Sequence, residues 1–523
     1  MWLSALPWWQ SCLNSATRLP QGSVRSWAAT GHLIRKPVPD VLPVSKKKKI
    51  VIIGGGVTGL SAAREFTLKG EHDFTILEMA PQAGGNSSSG ANRLTAYPLG
   101  AHYLPVPDPA MTELTGFLKE AGVIQSIDPA TQLPVYQEEY LCFSPQERLF
   151  INGYWQDGLV PDFGLPANER EEVRRFLNRM QQYKNSIGTD GRPAFAIPID
   201  HSSMDADFRK LDQLSFREWM HQEGFVCKPL LWYVDYCCLD DFGAPASVVS
   251  AWAGIHYYAS RRGRAANTPG HAVLTWPEGN HFLVRQLEKT VQSSIQTQTL
   301  VCKIVRNPDA VQVTCFDVQR QQYYLIEASK VLVTTPLHTH PYLFPELTER
   351  NTRINTSCIS YPWAVANLLV KAGDERSGQP ESWDNVIFGG KTLGYVHATH
   401  QSVLQPGEFR QMTVYMPLAE NAPAEERKAA QNRSFDDWMK IILQDLNRAH
   451  PDLAVRIEYA DIWLWGHGMI APSVNYLFSG DREALGRSLD EQVFFAHSDL
   501  AGMSIFEEAF YQGVHAARKI TNT

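Results

Sequence analysis

The chain has 523 residues, 44% hydrophobic and 20% charged, with 48 Lys plus Arg against 55 Asp plus Glu for a formal charge of −7. This is a globular composition, roughly three domains long by length alone. Its 8 Cys are too sparse for a disulfide scaffold and include no CxxC pair, and the acidic balance excludes a general nucleic-acid binder. No apolar run reaches the roughly 18 residues of a membrane span.

Residues 1–39 hold no Asp or Glu, but carry Arg18, Arg25, Arg35 and Lys36, five Ser and four of the 14 Trp. An acid-free leader of this kind has the composition of an organelle transit peptide. A secretory signal fits less well, because no positive region precedes apolar residues 2–9, and no arginine pair marks a twin-arginine signal. Residues 1–45 are therefore expected to be an N-terminal extension, either targeting or unstructured. Organelle import or export stays open, with a soluble cytoplasmic protein as the default.

Ile50-Val51-Ile52-Ile53 reads as a buried parallel strand. Gly54-Gly55-Gly56-Val57-Thr58-Gly59 follows. A helix comes next, with residues 59, 60, 63 and 66 on one face, and Gly70 closes it. Phe74-Thr75-Ile76-Leu77 is a second strand, ending at Glu78. In this βαβ unit Gly54 permits the tight turn, Gly56 lets backbone approach a pyrophosphate, and Gly59 lets the helix pack on the strand. The amides of Val57, Thr58 and Gly59 open the helix, where about half a positive charge favours an anion. Glu78, 24 residues after Gly54, can accept both ribose hydroxyls and would repel a 2′-phosphate. The pattern predicts a dinucleotide and does not itself separate FAD from NAD.

From about 110 to 270 helices dominate, as in the stripe Val173, Phe176, Leu177, Met180, Tyr183 and Ile187, while 142–165 reads as loop. Strands return at 301–305, 311–316 and 331–333, and a mixed sheet is expected over 355–418. Phe435, Trp438, Met439, Ile442 and Leu446 mark another helix. A last strand falls at 493–496, with a last helix from near Ser504. The two textures alternate, which points to two interleaved domains.

Gly84-Gly85-Asn86, six residues after Glu78, resembles the flavin-containing amine oxidase superfamily, which includes monoamine and polyamine oxidases, protoporphyrinogen oxidase and phytoene desaturases. There a Gly-Gly-Arg meets the FAD pyrophosphate. Asn86 keeps a hydrogen-bond donor but loses the charge. Phe494-Phe495-Ala496-His497-Ser498-Asp499, with Gly502-Met503-Ser504-Ile505-Phe506-Glu507-Glu508-Ala509, resembles the superfamily's closing motif. The resemblance implies that Asp499 binds a ribityl or phosphate-side hydroxyl. It also implies that the helix start at Ser504 and Ile505 faces the flavin pyrimidine ring, and that backbone near Val301 meets adenine. Ser504 and Glu507 have capping-box spacing. No Cys lies near the closing motif, so FAD is expected to be non-covalent.

The implied fold is α/β: a Rossmann-like FAD-binding domain with a doubly wound parallel sheet (46–110, 270–345 and 455–523), interleaved with an α+β substrate domain. The substrate domain comprises a mostly helical part (111–269) and a mixed sheet plus helix (346–454). The implied reaction is hydride transfer from a small-molecule substrate C–H to flavin N5, with oxygen or a quinone as possible electron acceptors. Ile505 stands where many amine oxidases hold an aromatic wall, and Asn367 where many hold a Lys. Both departures favour a large apolar substrate over a simple amine. Two alternatives are a flavin-binding scaffold without turnover and an NAD-dependent Rossmann dehydrogenase. His102, His397 and His467 are the candidate acid–base residues. His397 and His400 point to opposite faces of a strand and cannot share a metal, and no metal site is expected. Arg261-Arg262-Gly263-Arg264 reads as a solvated loop, and Cys237-Cys238 as buried small residues.

Overall fold

The computed structural model describes residues 20–39, 42–373, 378–400 and 407–522. Its first sheet has Val44–Ile53 at the centre, flanked in parallel by Phe74–Leu77 and Gln322–Val333. Ile295–Gln296 extends it beyond Phe74–Leu77, and Val493–Phe495 pairs with the last residues of Gln322–Val333. The first half of that long strand instead pairs antiparallel with Val311–Asp317, which leads on to Thr299–Arg306. Ile50 to Ile53 are all buried, as a strand covered on both faces requires.

Helices from the two ends of the chain pack against each other on this sheet. A Cβ on Gly513, in Phe506–Asn522, would lie 2.2 Å from the Thr58 carbonyl oxygen in Val57–Leu68. Only glycine allows that approach.

The second sheet has eight strands in the order Gln21–Arg25, Ile457–Ala471, Ile359–Lys371, Phe409–Pro417, Tyr395–His397, Asp384–Ile387, Glu147–Ile151 and Tyr154–Asp157. Phe435–Leu446 covers one face, burying Trp438 and Ile442 against Leu368 and Ile462. Ala167–Asn185, Lys228–Phe242 and Ala251–Ala259 build a larger core with Val365, Val386 and Tyr415.

Three expectations change. Residues 147–157 form a hairpin rather than loop. Ile457–Ala471 pairs with Ile359–Lys371 in this second sheet, although a boundary at 455 placed the two strands in different domains. The N-terminal extension is not separate from residue 20 onward. Gln21–Arg25 adds a parallel edge strand to Ile457–Ala471, Arg25 pairs with buried Asp461, and Trp27 meets Trp463 edge-on. The segment's positive charge therefore answers a buried carboxylate 436 residues away. Residues 1–19 lie outside the described residues, so the targeting expectation stays with the sequence. Among the described residues, no helix is long and apolar enough to cross a membrane.

Candidate active site

The glycine turn is held by its own chain. Gly54 sits at φ +109°, and a Cβ on Gly59 would meet the Gly54 carbonyl oxygen at 2.0 Å. A Cβ on Gly56 would meet nothing within 4 Å, so the space in front of it is open. Glu78 lies across the turn, accepting from the Gly55 amide at 2.8 Å and the Ala80 amide at 2.7 Å. Burial raises its pKa. Gly84 docks on the same turn through its amide to the Gly55 carbonyl at 2.8 Å and a bridge to Gly56, and both Gly84 (φ +128°) and Gly85 (φ +55°) are left-handed. Beside Gly84, the buried Nδ1 of His281 has no hydrogen-bond partner among the described residues. The opening helix has no side-chain cap, and its first internal bond is Leu60 N to Gly56 O at 3.0 Å. The amides of Val57, Thr58 and Gly59 therefore face the open space.

This donor set fits an FAD: amides and a helix N-terminus for the pyrophosphate, Glu78 for the ribose. Val301 lies close by, since Thr299 N donates to the Glu78 carbonyl at 2.8 Å, and a bulge after Val301 leaves one ladder position unpaired. Asn86 is directed elsewhere, its side-chain amide donating to the Gly468 carbonyl.

At the closing motif, Asp499 accepts from the Leu337 amide at 2.9 Å. Burial would raise its pKa, but nearby His497 and the Leu337 amide outweigh that and bring it to about 2, so it stays ionised. The capping box does not form at Ser504. Its hydroxyl instead accepts the Ile470 amide at 3.2 Å, and the helix runs Phe506–Asn522. Ile505 is partly buried ahead of it. Glu507 and Glu508 are buried, which raises their pKa values to about 7 and about 8.

The chain then builds a cavity of about 270 Å³, lined by His102, Tyr103, Tyr236, Trp383, Tyr395 and Tyr415 together with Glu147, Asp240, Asp384 and Arg261. Four bonds fix the segment that carries His102. Tyr97 OH donates to Asp461 at 3.0 Å, Asn367 Nδ2 to the Pro98 carbonyl at 3.0 Å, Trp465 Nε1 to the Leu99 carbonyl at 2.6 Å, and Tyr415 OH to the Gly100 carbonyl at 3.0 Å. Asn367, expected from the resemblance at the Lys position, is thus a buried anchor, and its Oδ1 also accepts Thr413 at 2.8 Å. The His102 ring stacks on Tyr415 at 4.4 Å, and burial lowers its pKa to about 3.

Three carboxylates share the cavity, and none is ion-paired among the described residues. Burial raises all three. Asp241 helps bring Asp240 to about 7, and Asp240 and Glu147 hold Asp384 well above the usual range. Arg261, expected on a solvated loop, instead binds Asp241 through one nitrogen at 2.7 and 2.8 Å and faces the cavity. Cys237 and Cys238 are buried as expected.

Of the three candidate histidines, only His102 reaches the cavity. His397 is not among the residues that line it, and its ring meets Thr399 at 3.2 Å. His467 stacks on His338 instead. The tyrosines and carboxylates went unseen in the sequence because they come from separate helices and strands without a shared motif. The aromatic density of 228–258 was their only local signal.

A family model described as flavin containing amine oxidoreductase matches residues 57–521. Among curated proteins, a zeta-carotene desaturase (chloroplastic/chromoplastic) of Arabidopsis thaliana is 27% identical over 206 residues, 38% of this chain and 33% of that protein. The match thus spans about a third of that relative. A redesigned putrescine oxidase superposes with TM-score 0.68 at 14% identity, covering 92% of this chain and 100% of the other. Cyclohexylamine oxidase from Brevibacterium oxydans gives 0.64 at 13%, covering 91% and 99%. At such identities the structures establish a shared fold.

Proposed function

The chain belongs to the flavin-containing amine oxidoreductase family and is an FAD-dependent oxidoreductase; on that premise we propose that it oxidises a compact substrate bearing a cationic group, held in the cavity beside His102. The observation that carries this reading is the set Glu147, Asp240 and Asp384, three carboxylates without an ion-pair partner among the described residues, against two cations, Arg261 and Lys184, on the same aromatic-lined wall. An ammonium would relieve their mutual repulsion and meet the tyrosine and tryptophan faces as a cation–π partner. A hydrocarbon would leave all three desolvated and unpaired, which is costly. The cavity therefore favours a cation over the large apolar molecule that Ile505 and Asn367 suggested.

FAD, when bound, supplies the hydride acceptor at N5. The glycine turn, Glu78 and Asp499 would hold it non-covalently. His102, neutral at pH 7, acts as a ring wall and hydrogen-bond acceptor rather than as a proton store. Asp240, at about 7, is the group matched to take a substrate proton at working pH.

A second reading, an apolar polyene, draws on the likeness to the zeta-carotene desaturase. Anaerobic bleaching of the flavin band against amines and polyenes separates the two. Bleaching by amines, weakened in Asp384→Asn, supports the first. Bleaching by polyenes alone overturns it.

A further inference from the structure

Among the described residues, no Lys or Arg side chain is hydrogen-bonded to the glycine turn or to Gly84-Gly85. Asn86 stands at the family's Arg position, and its side-chain amide is already given to the Gly468 carbonyl. A helix N-terminus offers only about half a charge against a dianion.

Two imidazoles sit on segments tied to this turn. His338 follows the Thr334 loop, whose Thr334 hydroxyl bonds the Gly54 carbonyl at 3.0 Å. The neighbouring Leu337 amide meets Asp499 at 2.9 Å. His467 immediately precedes Gly468, the residue that Asn86 grips. The two rings stack with centroids 3.7 Å apart and planes 8° apart. His467 Nδ1 meets Ser360 Oγ at 2.9 Å, while the His338 ring has no hydrogen-bond partner among the described residues.

The surrounding charge is lopsided. Asp499, His497 and His340 face His338; Arg427, Asp499, Arg35 and His32 face His467. Asp499 is the one carboxylate in this set, and the Leu337 amide and His497 already engage it. Burial, with Arg427 and Arg35 nearby, holds His467 down to about 4, and burial beside His467 holds His338 well below its ordinary value. The pair is therefore neutral in the cofactor-free protein, with ionised Asp499 the one carboxylate facing it.

We propose that the stacked His338–His467 pair is the cationic part of the pyrophosphate subsite, taking up one proton from solvent as FAD binds and standing in for the arginine absent at Asn86. Two rings in face-to-face contact accommodate one proton but not two, because like charges at that distance repel. Unlike a permanent guanidinium, this charge appears only with the anion present, so retention of FAD depends on pH.

This rests on the FAD reading above, and one titration separates the two. Apoprotein is titrated with FAD by flavin fluorescence from pH 6 to 8, using the unaltered chain, His338→Gln, His467→Gln, the double variant, and the double variant carrying Asn86→Arg. Apoprotein melting temperatures identify any variant that fails to fold, and the single variants then carry the test. The unaltered chain should bind more tightly as pH falls, by up to about tenfold per unit for one linked proton. The double variant should bind about 10- to 100-fold more weakly at pH 6 and lose that slope. Asn86→Arg should restore affinity without the slope. Glu507 and Glu508 titrate in the same range but persist in every variant, so a slope that survives in the double variant overturns the proposal. Unchanged affinity overturns it as well. An unaltered chain that binds no FAD at any pH overturns the FAD reading itself.

Discussion

Between residues 50 and 86 the proposed cofactor cradle is made of backbone. Three glycines, three free amides and one acid do the work, and each position follows from its neighbours in sequence. The cavity around His102 is made of side chains. His102, Tyr236, Asp240, Trp383, Asp384 and Tyr415 come from separate elements and meet only because two sheets and a helical layer are packed together. Backbone chemistry is local and tolerates variation everywhere except at the glycines. Side-chain chemistry is non-local and is tuned by burial, which lowers His102 to about 3 and raises Asp240 to about 7.

The sharpest break in this comparison is at two glycines of one turn. Gly59→Val places a Cβ about 2.0 Å from the Gly54 oxygen, so it should abolish FAD binding and lower the apoprotein melting temperature. At Gly56 an added Cβ meets nothing within 4 Å, so Gly56→Val should abolish FAD binding while leaving that melting temperature unchanged. Equal melting temperatures in the two variants would contradict the distinct roles assigned to them.

At the cavity, Asp384→Asn should raise KM for a cationic substrate about 10- to 100-fold, with bound flavin retained. Steady-state kinetics and the visible spectrum check this together. The pH dependence follows from the same carboxylates. Asp240 is held up to about 7 in the free cavity, whereas a cation favours its ionised form. Affinity for that substrate should therefore rise with pH through about 7, until the substrate's own ammonium deprotonates. Its stability effect has the opposite sign. A carboxyl whose folded pKa is raised stabilises the fold below its unfolded value and loses that contribution as pH rises through its folded one. Asp240→Asn should thus raise the melting temperature at pH 8 and leave it unchanged near pH 4. The smallest effect is expected at Ser504→Ala, which removes one acceptor for the Ile470 amide and should cost about 1 kcal/mol in denaturant unfolding.

The sequence made the cradle legible because strand, turn, helix and acid are contiguous there. His102 was legible too, through its short distance from Gly84-Gly85. The direction of Asn86 was not, since its partner Gly468 is 382 residues away. The N-terminal edge strand was hidden for the same reason: an acid-free stretch reads as a leader until Asp461 is brought beside Arg25. At Ser504 the spacing suggested a cap, but a neighbouring strand's amide claims the hydroxyl. A local motif cannot show which competing partner folding will deliver.

The claim that one cavity delivers a cationic substrate to FAD held at the glycine turn is tested most directly by anaerobic titration of the purified holoprotein with a series of primary amines and diamines, following its flavin absorbance. The account predicts a flavin band that amines bleach, with bleaching that weakens in Asp384→Asn and strengthens as pH rises through about 7. A flavin band that every amine leaves unchanged would contradict it.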